Sequence, residues 1–158
     1  MVADALVHLM GRGAPRAPDR DSLEAWGRAV GVLLPRPSVI TLEGDLGAGK
    51  TTLARALCAG LGVGDLSVVT SPTFSLVQQY EAPRGPVVHV DLYRLRSTAE
   101  LDALGWDEIV ETSPVLLVEW PDRARHTLPR DTIGIVLERH PTDDERRLLR
   151  VLMPGARG

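Results

Sequence analysis

Asparagine is absent from this 158-residue chain, and lysine occurs once, at Lys50, beside 17 arginines. A single lysine kept in so arginine-rich a chain marks a position where a compact ammonium is needed and a guanidinium fork does not serve. With no asparagine and no second lysine, the Asn-Lys-x-Asp arrangement that reads guanine in GTPases is excluded. Cysteine is nearly missing too, and Cys58 alone cannot form an internal disulfide. The histidines (His8, His89, His126, His140) are too scattered for a zinc-binding spacing. No apolar run approaches the roughly 18–20 residues of a membrane span. The start of the chain, 1–13, lacks the basic residues and apolar core of a secretion signal. These absences predict a cytoplasmic protein with no membrane attachment.

What is present is ordinary globular material. Hydrophobic residues make up 44% and charged residues 25%, with a net charge of −3. That composition and length predict one domain, 1–158, with a single core. Residues 11–20 are rich in Pro, Gly and Arg and are expected to be a flexible segment, and 154–158 a short tail. From Asp21 onward, Leu23, Trp26, Val30 and Leu33 recur near helical spacing, with Asp21 or Ser22 as N-cap and Pro35 and Pro37 as the stop. Residues 38–42 read as a strand that runs into a Gly-rich loop, followed by a helix over 50–61 ending at Gly60 or Gly62. Cys58 lies inside that helix, where a small buried hydrophobe is the expected role.

Further strands are expected at 67–70, 74–80 and 86–92, the last two joined by a turn around 83–85. An acidic helical stretch over 97–111 breaks at Gly105, and 114–119 is an apolar run of buried-strand length. A final strand pair is expected at 132–138 and 147–152.

The chemistry concentrates in one loop. Gly44, Asp45, Leu46, Gly47, Ala48, Gly49, Lys50 and Thr51 fit the phosphate-loop pattern G-x-x-x-x-G-K-[ST] without a mismatch. Glycines let successive backbone N–H groups turn inward on a phosphate, and the helix after them adds the positive end of its dipole. Lys50 is expected to reach the outer phosphates and the Thr51 hydroxyl to ligate Mg2+, with Thr52 helping at the α-phosphate. The setting between a strand and a helix is the one this motif requires. The expected fold is therefore α/β: a single P-loop NTPase-like domain with a mixed, mostly parallel central sheet flanked by helices. Glu119, at the end of the apolar run, has the placement of a second Mg2+-binding acid, although a solvated strand end would read the same way. Asp91 closes a β-rich run and could act at the same site or cap the next helix.

Several segments then resemble one family in order. Leu42-Glu43-Gly44 through Thr51, Ser71-Pro72-Thr73-Phe74 with Tyr80, His89-Val90-Asp91-Leu92-Tyr93-Arg94-Leu95, and Val118-Glu119-Trp120-Pro121 are similar to the TsaE (YjeE) family. That family is the ATPase of the bacterial machinery making threonylcarbamoyladenosine in tRNA. The resemblance implies ATP as substrate, Mg2+ as cofactor, Lys50, Asp91 and Glu119 as catalytic residues, and Thr51 and Glu119 as metal ligands. It implies a switch-like loop at Thr73, where plain turn chemistry is the other reading. Trp120 is either core or close to the nucleotide. His89 is expected to be a hydrogen-bonded structural histidine on the face of its strand that Asp91 shares. The partners implied are the TsaD and TsaB proteins, with tRNA met only indirectly. A small-molecule kinase with a lid from Arg123, Arg125 and Arg130, or a nucleotide-gated binding module with negligible turnover, are the alternatives.

Overall fold

In the computed structural model, which describes residues 2–154, the site is positioned by the carboxyl ends of four parallel strands. The elements in chain order are α1 (Val2–Met10), α2 (Arg20–Leu33), β1 (Ser38–Glu43), α3 (Lys50–Leu61), β2 (Val77–Tyr80), β3 (Val87–Asp91), α4 (Thr98–Ala103), α5 (Trp106–Thr112), β4 (Val115–Glu119), β5 (Ile133–Arg139) and β6 (Arg147–Leu152). One six-stranded sheet has the order β2-β3-β4-β1-β5-β6. The inner strands β3, β4, β1 and β5 run parallel, while the edge strands β2 and β6 are antiparallel to their neighbours. The mixed, mostly parallel sheet expected from the sequence is the one observed.

Alternation along the strands divides the core in two. Val87 on β3, Ile40 and Leu42 on β1, and Val115 and Leu117 on β4 pack under α1, α2 and α3. Val39, Val88, Val90, Leu116 and Val118 face the other way, against Leu101 of α4 and Trp106 of α5. A period of two therefore puts His89 and Asp91 on the Val87 face and Glu119 on the Leu117 face, the side that carries α3. The helices on that side lie close together. A Cβ on Gly31 of α2 would stand 2.3 Å from the carbonyl oxygen of Leu57, and one on Gly60 of α3 would stand 2.1 Å from that of Arg28. Only glycine permits the crossing that seats α3 under the sheet.

Several local expectations differ from the structure, among them the strand at 74–80, which begins only at Val77 because Phe74 is exposed in a turn and Leu76 has φ 65°. The segment 67–70 is not a strand. Residues Leu66–Val68 form a 3-10 turn, because the Asp65 side chain caps the Ser67 N–H and offers the backbone a local partner instead of a ladder. The N-cap of α2 is Asp19 rather than Asp21 or Ser22, and its carboxylate accepts from the Ser22 N–H at 2.8 Å. The stretch 11–20, read as flexible, has little regular structure but is bonded to β6: the N–H groups of Arg147 and Leu149 donate to the carbonyls of Pro18 and Arg16. Helix α1 was not expected; it buries Leu6 and Met10 against the α2 side of the core. Of the tail at 154–158, residues 155–158 lie outside the described residues.

Candidate active site

The loop between β1 and α3 is built as its sequence requires. Gly44 has φ 151°, and a Cβ there would meet the Leu137 carbonyl oxygen at 2.4 Å. Gly49, at φ 106°, is the N-cap of α3 in a left-handed conformation that L side chains rarely adopt. Asp45, Leu46 and Gly47 are exposed at the loop tip, while Ala48 is buried beneath it. Arg147 of β6 holds the loop from outside, its Nε donating to the Ala48 carbonyl at 3.1 Å and its Nη2 to that of Gly47 at 3.4 Å. Those carbonyls are thereby satisfied by Arg147, while the loop N–H groups are the donors such a loop offers an anion.

An open cleft of about 780 Å³ lies over this loop. Gly47, Gly49, Lys50, Thr51 and Thr52 line it, and so do Thr73, Asp91, Glu119 and Trp120. Of the phosphate-loop residues, Leu46 also reaches the cleft, whereas Gly44, Asp45 and Ala48 shape the loop behind it. Asp91 and Glu119 stand opposite each other in the β3–β4 register, which explains how residues far apart in sequence share one cleft end. Ligands in open α/β sheets bind outside the carboxyl ends of the strands, where these side chains sit.

Lys50 is buried at the head of α3. Its Nζ donates to the carbonyl of Gly44 and, at 3.4 Å, to that of Asp45. It also lies 4.0 Å from the centre of the Trp120 ring. Burial lowers the pKa of Lys50, and the negative charges of Glu119, Asp91 and Asp45 oppose that shift. The lysine is thus a desolvated cation with carboxylates facing it. Trp120 adopts a left-handed conformation at φ 55°, and its ring lies 4.8 Å from that of Tyr93. Its side chain belongs to the cleft, not to the core. Arg94 projects over the exposed ring of Phe74, 4.2 Å from its centre.

The carboxylate of Asp91 is held by the loop that precedes β2. Oδ2 accepts from Ser71 Oγ at 2.6 Å and from Thr73 Oγ1 at 3.0 Å, and Oδ1 accepts from the Tyr93 N–H at 2.8 Å. Glu119 Oε2 is bonded to His89 Nε2 at 2.7 Å, both residues being buried. His89 is hydrogen-bonded, as the sequence suggests. Burial pushes the Cys58 thiol up to about 12, so it remains a protonated core residue. Arg123, Arg125 and Arg130 do not line the cleft; Arg125 pairs with Glu43 at 2.5 Å and Asp122 at 2.8 Å.

Sequence reasoning missed one wall of the cleft. Asp19, the N-cap of α2, and Arg20, Asp21 and Leu23 from its start, with Asp144 and Glu145 from the β5–β6 turn and Arg147 of β6, complete it. No local pattern marks them. They meet at the loop because 16–19 is tied to 146–149, through the bridge between Asp19 and Arg146 and the hydrogen bonds beside it.

A sequence model of the family described as "Threonylcarbamoyl adenosine biosynthesis protein TsaE" matches residues 17–148. Among curated proteins, the "tRNA threonylcarbamoyladenosine biosynthesis protein TsaE" of Bacillus subtilis (strain 168) is 42% identical over 110 residues, which are 70% of this chain and 66% of that protein. The protein of the same name from Treponema pallidum (strain Nichols) is 40% identical over 112 residues, 71% of this chain and 81% of its own. The one from Haemophilus influenzae (strain ATCC 51907 / DSM 11121 / KW20 / Rd) is 33% identical over 136 residues, 83% and 84% respectively. The crystal structure of Bacillus subtilis YdiB superimposes with a TM-score of 0.71 at 31% identity, covering 90% of this chain and 86% of that one. A phosphate loop opening onto two strand-end carboxylates, inside a family match over residues 17–148 and a superposition over 90% of the chain, places the chain in the TsaE family with a P-loop NTPase-like fold.

Proposed function

We propose that this chain binds ATP with Mg2+ in the cleft and hydrolyses it to ADP and phosphate, as a subunit of the machinery that makes threonylcarbamoyladenosine in tRNA. The observation that carries the reading is the buried Lys50 at the loop, facing Glu119 and Asp91 across one cleft. The hydroxyl of Thr51 and the carboxylate of Glu119 both line that cleft and are hard oxygen donors of the kind Mg2+ takes. Among the described residues no group of three or more His, Cys, Asp or Glu is placed to hold a metal by itself. That suits an ion held partly by phosphate oxygens, the usual mode for Mg2+. When bound, the ion neutralises charge on the transferring phosphoryl group.

The protein groups do the positioning. Loop N–H groups and the α3 dipole hold the phosphates, and Lys50 compensates charge that grows as the bond to the γ-phosphorus breaks. Water attacks that phosphorus in line with the departing ADP oxygen, and Asp91 orients the water. Asp91 accepts two hydrogen bonds at Oδ2 and one at Oδ1, so Oδ1 keeps a lone pair for that water. Thr73, on the switch-like loop, lines the cleft and is the group that senses the γ-phosphate.

Trp120 reports nucleotide on this reading. Adding Mg-ATP is expected to change tryptophan emission, and the change is expected to vanish in Trp120→Phe but persist in Trp26→Phe. Trp26 donates its indole N–H to the Leu9 carbonyl and Trp106 to Thr127, both away from the cleft. A response carried by Trp26 or Trp106 would move the nucleotide away from Glu119.

The partners are inferred from the chain's charge and the family's role. Residues 97–122 hold seven acidic side chains and no lysine or arginine, and the chain has net charge −3. Tight RNA binding needs several phosphates neutralised, so tRNA is met only through other subunits. TsaD and TsaB are those subunits, and they complete the site, whose only arginines among the described residues are Arg20 and Arg147 of its outer wall. Steady-state ATPase is expected to be slow for the chain alone and faster with both partners, and tRNA binding by the chain alone weak at physiological salt. Fast hydrolysis by the isolated chain, or tight salt-sensitive tRNA binding, would overturn this. Adding a panel of nucleosides to the same assay tests another phosphoryl acceptor: a phosphorylated nucleoside would make the protein a small-molecule kinase.

A further inference from the structure

Behind Glu119 lies a polar chain, buried at His89 and Tyr80, whose members beyond Glu119 have no part in the hydrolysis proposed for the cleft. His89 Nε2 is 2.7 Å from Glu119 Oε2, and His89 Nδ1 is 2.9 Å from the hydroxyl of Tyr80. The Tyr80 hydroxyl lies in turn 2.9 Å from Gln78 Oε1 and 3.5 Å from the Thr70 carbonyl oxygen. His89, Tyr80 and Glu119 are all buried. The chain thus runs from the backbone of the loop bearing Ser71 and Thr73, through β2 and β3, to the carboxylate at the end of β4.

We propose that His89 is a positioning residue for Glu119: its Nε2–H holds Oε2 and thereby aims the other oxygen, Oε1, into the nucleotide cleft. This rests on reading Glu119 as a carboxylate of an ATP site. A carboxylate only accepts, so the hydrogen of this bond sits on His89 Nε2. A neutral imidazole with its hydrogen on Nε2 presents the Nδ1 lone pair to the Tyr80 hydroxyl, which can donate to it. Among the described residues no hydrogen bond uses Oε1, and Glu119 lines the cleft, so one oxygen is tied and the other is presented. With Oε2 fixed, the plane of the carboxylate no longer rotates freely, and Oε1 meets its charge partner without reorganising. Ligating carboxylates are generally held by hydrogen bonds from outer partners, which orient them by the same restraint.

Tyr80 anchors the far side. Burial raises the pKa of its phenol, which stays protonated and keeps a hydrogen for the network. An apolar residue would fill the position of His89 more cheaply, since a buried polar chain is tolerated only when every member is satisfied. Simple packing therefore does not account for this histidine, and orientation of Glu119 does.

The test uses the full chain with its partners, measuring Mg-ATP affinity and kcat separately. His89→Leu is expected to slow hydrolysis about 10–100-fold while changing Mg-ATP affinity less than about twofold. His89→Gln, whose amide can still donate to Oε2, is expected to recover most of the rate, and Tyr80→Phe to lose a few-fold in kcat by about the same logic. Unchanged kcat in His89→Leu, or equal loss of rate and affinity in both His89 variants, would overturn the proposal. If His89→Leu does not fold, the comparison of His89→Gln and Tyr80→Phe with the unaltered chain decides it: a full rate in Tyr80→Phe together with a collapsed rate in His89→Gln contradicts the relay. The 15N spectrum of the His89 imidazole gives a reading that needs no turnover. A proton on Nε2 supports the proposal even if the chain proves not to hydrolyse ATP, and a proton on Nδ1 alone overturns it even if the chain does.

Discussion

Lys50→Ala is expected to abolish ATP turnover in the assembled complex, and Lys50→Arg is expected to fail with it. The alanine result comes from charge: the loop offers N–H dipoles but no other full positive charge at its head, so the phosphates lose their main counterion. The arginine result is the sharper one. Lys50 Nζ fits between the carbonyls of Gly44 and Asp45 on one side and the Trp120 ring, 4.0 Å away, on the other. A guanidinium is wider, planar and stiff, and cannot occupy a space closed by two backbone carbonyls and an indole without displacing one of them. With 17 arginines elsewhere in the chain, a site that tolerated arginine would give no reason for the single lysine to stand there. Steady-state hydrolysis and Mg-ATP binding of both variants check this. Near-normal ATPase in Lys50→Arg would show that Lys50 is not the phosphate-facing group.

Glu119→Gln is expected to cut hydrolysis by about 100-fold or more while leaving ATP binding largely intact. The amide has nearly the shape of the carboxylate, and its oxygen can still accept from His89 Nε2, 2.7 Å away in the unaltered chain. What is lost is the negative charge, which supports both the ion bound with the phosphates and the ammonium of Lys50. That charge matters most when the transition state develops, so the loss should fall on kcat. Titrating Mg-ATP into the variant by tryptophan emission, beside single-turnover hydrolysis, separates the two quantities. Equal losses in affinity and rate would mean that Glu119 serves binding or folding in general.

The phosphate loop was legible because its chemistry is local. Eight consecutive residues, Gly44 to Thr51, contain the glycines, the lysine and the hydroxyl, and the helix dipole comes from the element they begin. Strand ends were legible for a similar reason. The apolar runs that end in Asp91 and Glu119 announce where a buried strand meets polar surroundings, and α3 stops at Gly62 in the left-handed cap its glycine allows.

Tertiary structure decided what depends on residues far apart in sequence. The β3–β4 register set Asp91 beside Glu119, and the choice of strand face aimed both toward α3. The bond from His89 to Glu119 spans 30 positions, and that from Arg125 to Glu43 spans 82. The cleft's second wall depends on Asp19 meeting Arg146 across the molecule. Helix α1 and the turn at Leu66–Val68 were missed because their periodicity is short and a local cap or the neighbouring core outweighs propensity. A sequence states the period of a segment and the chemistry of a loop; which distant segments touch is settled by how six strands order themselves, and no local pattern encodes that order.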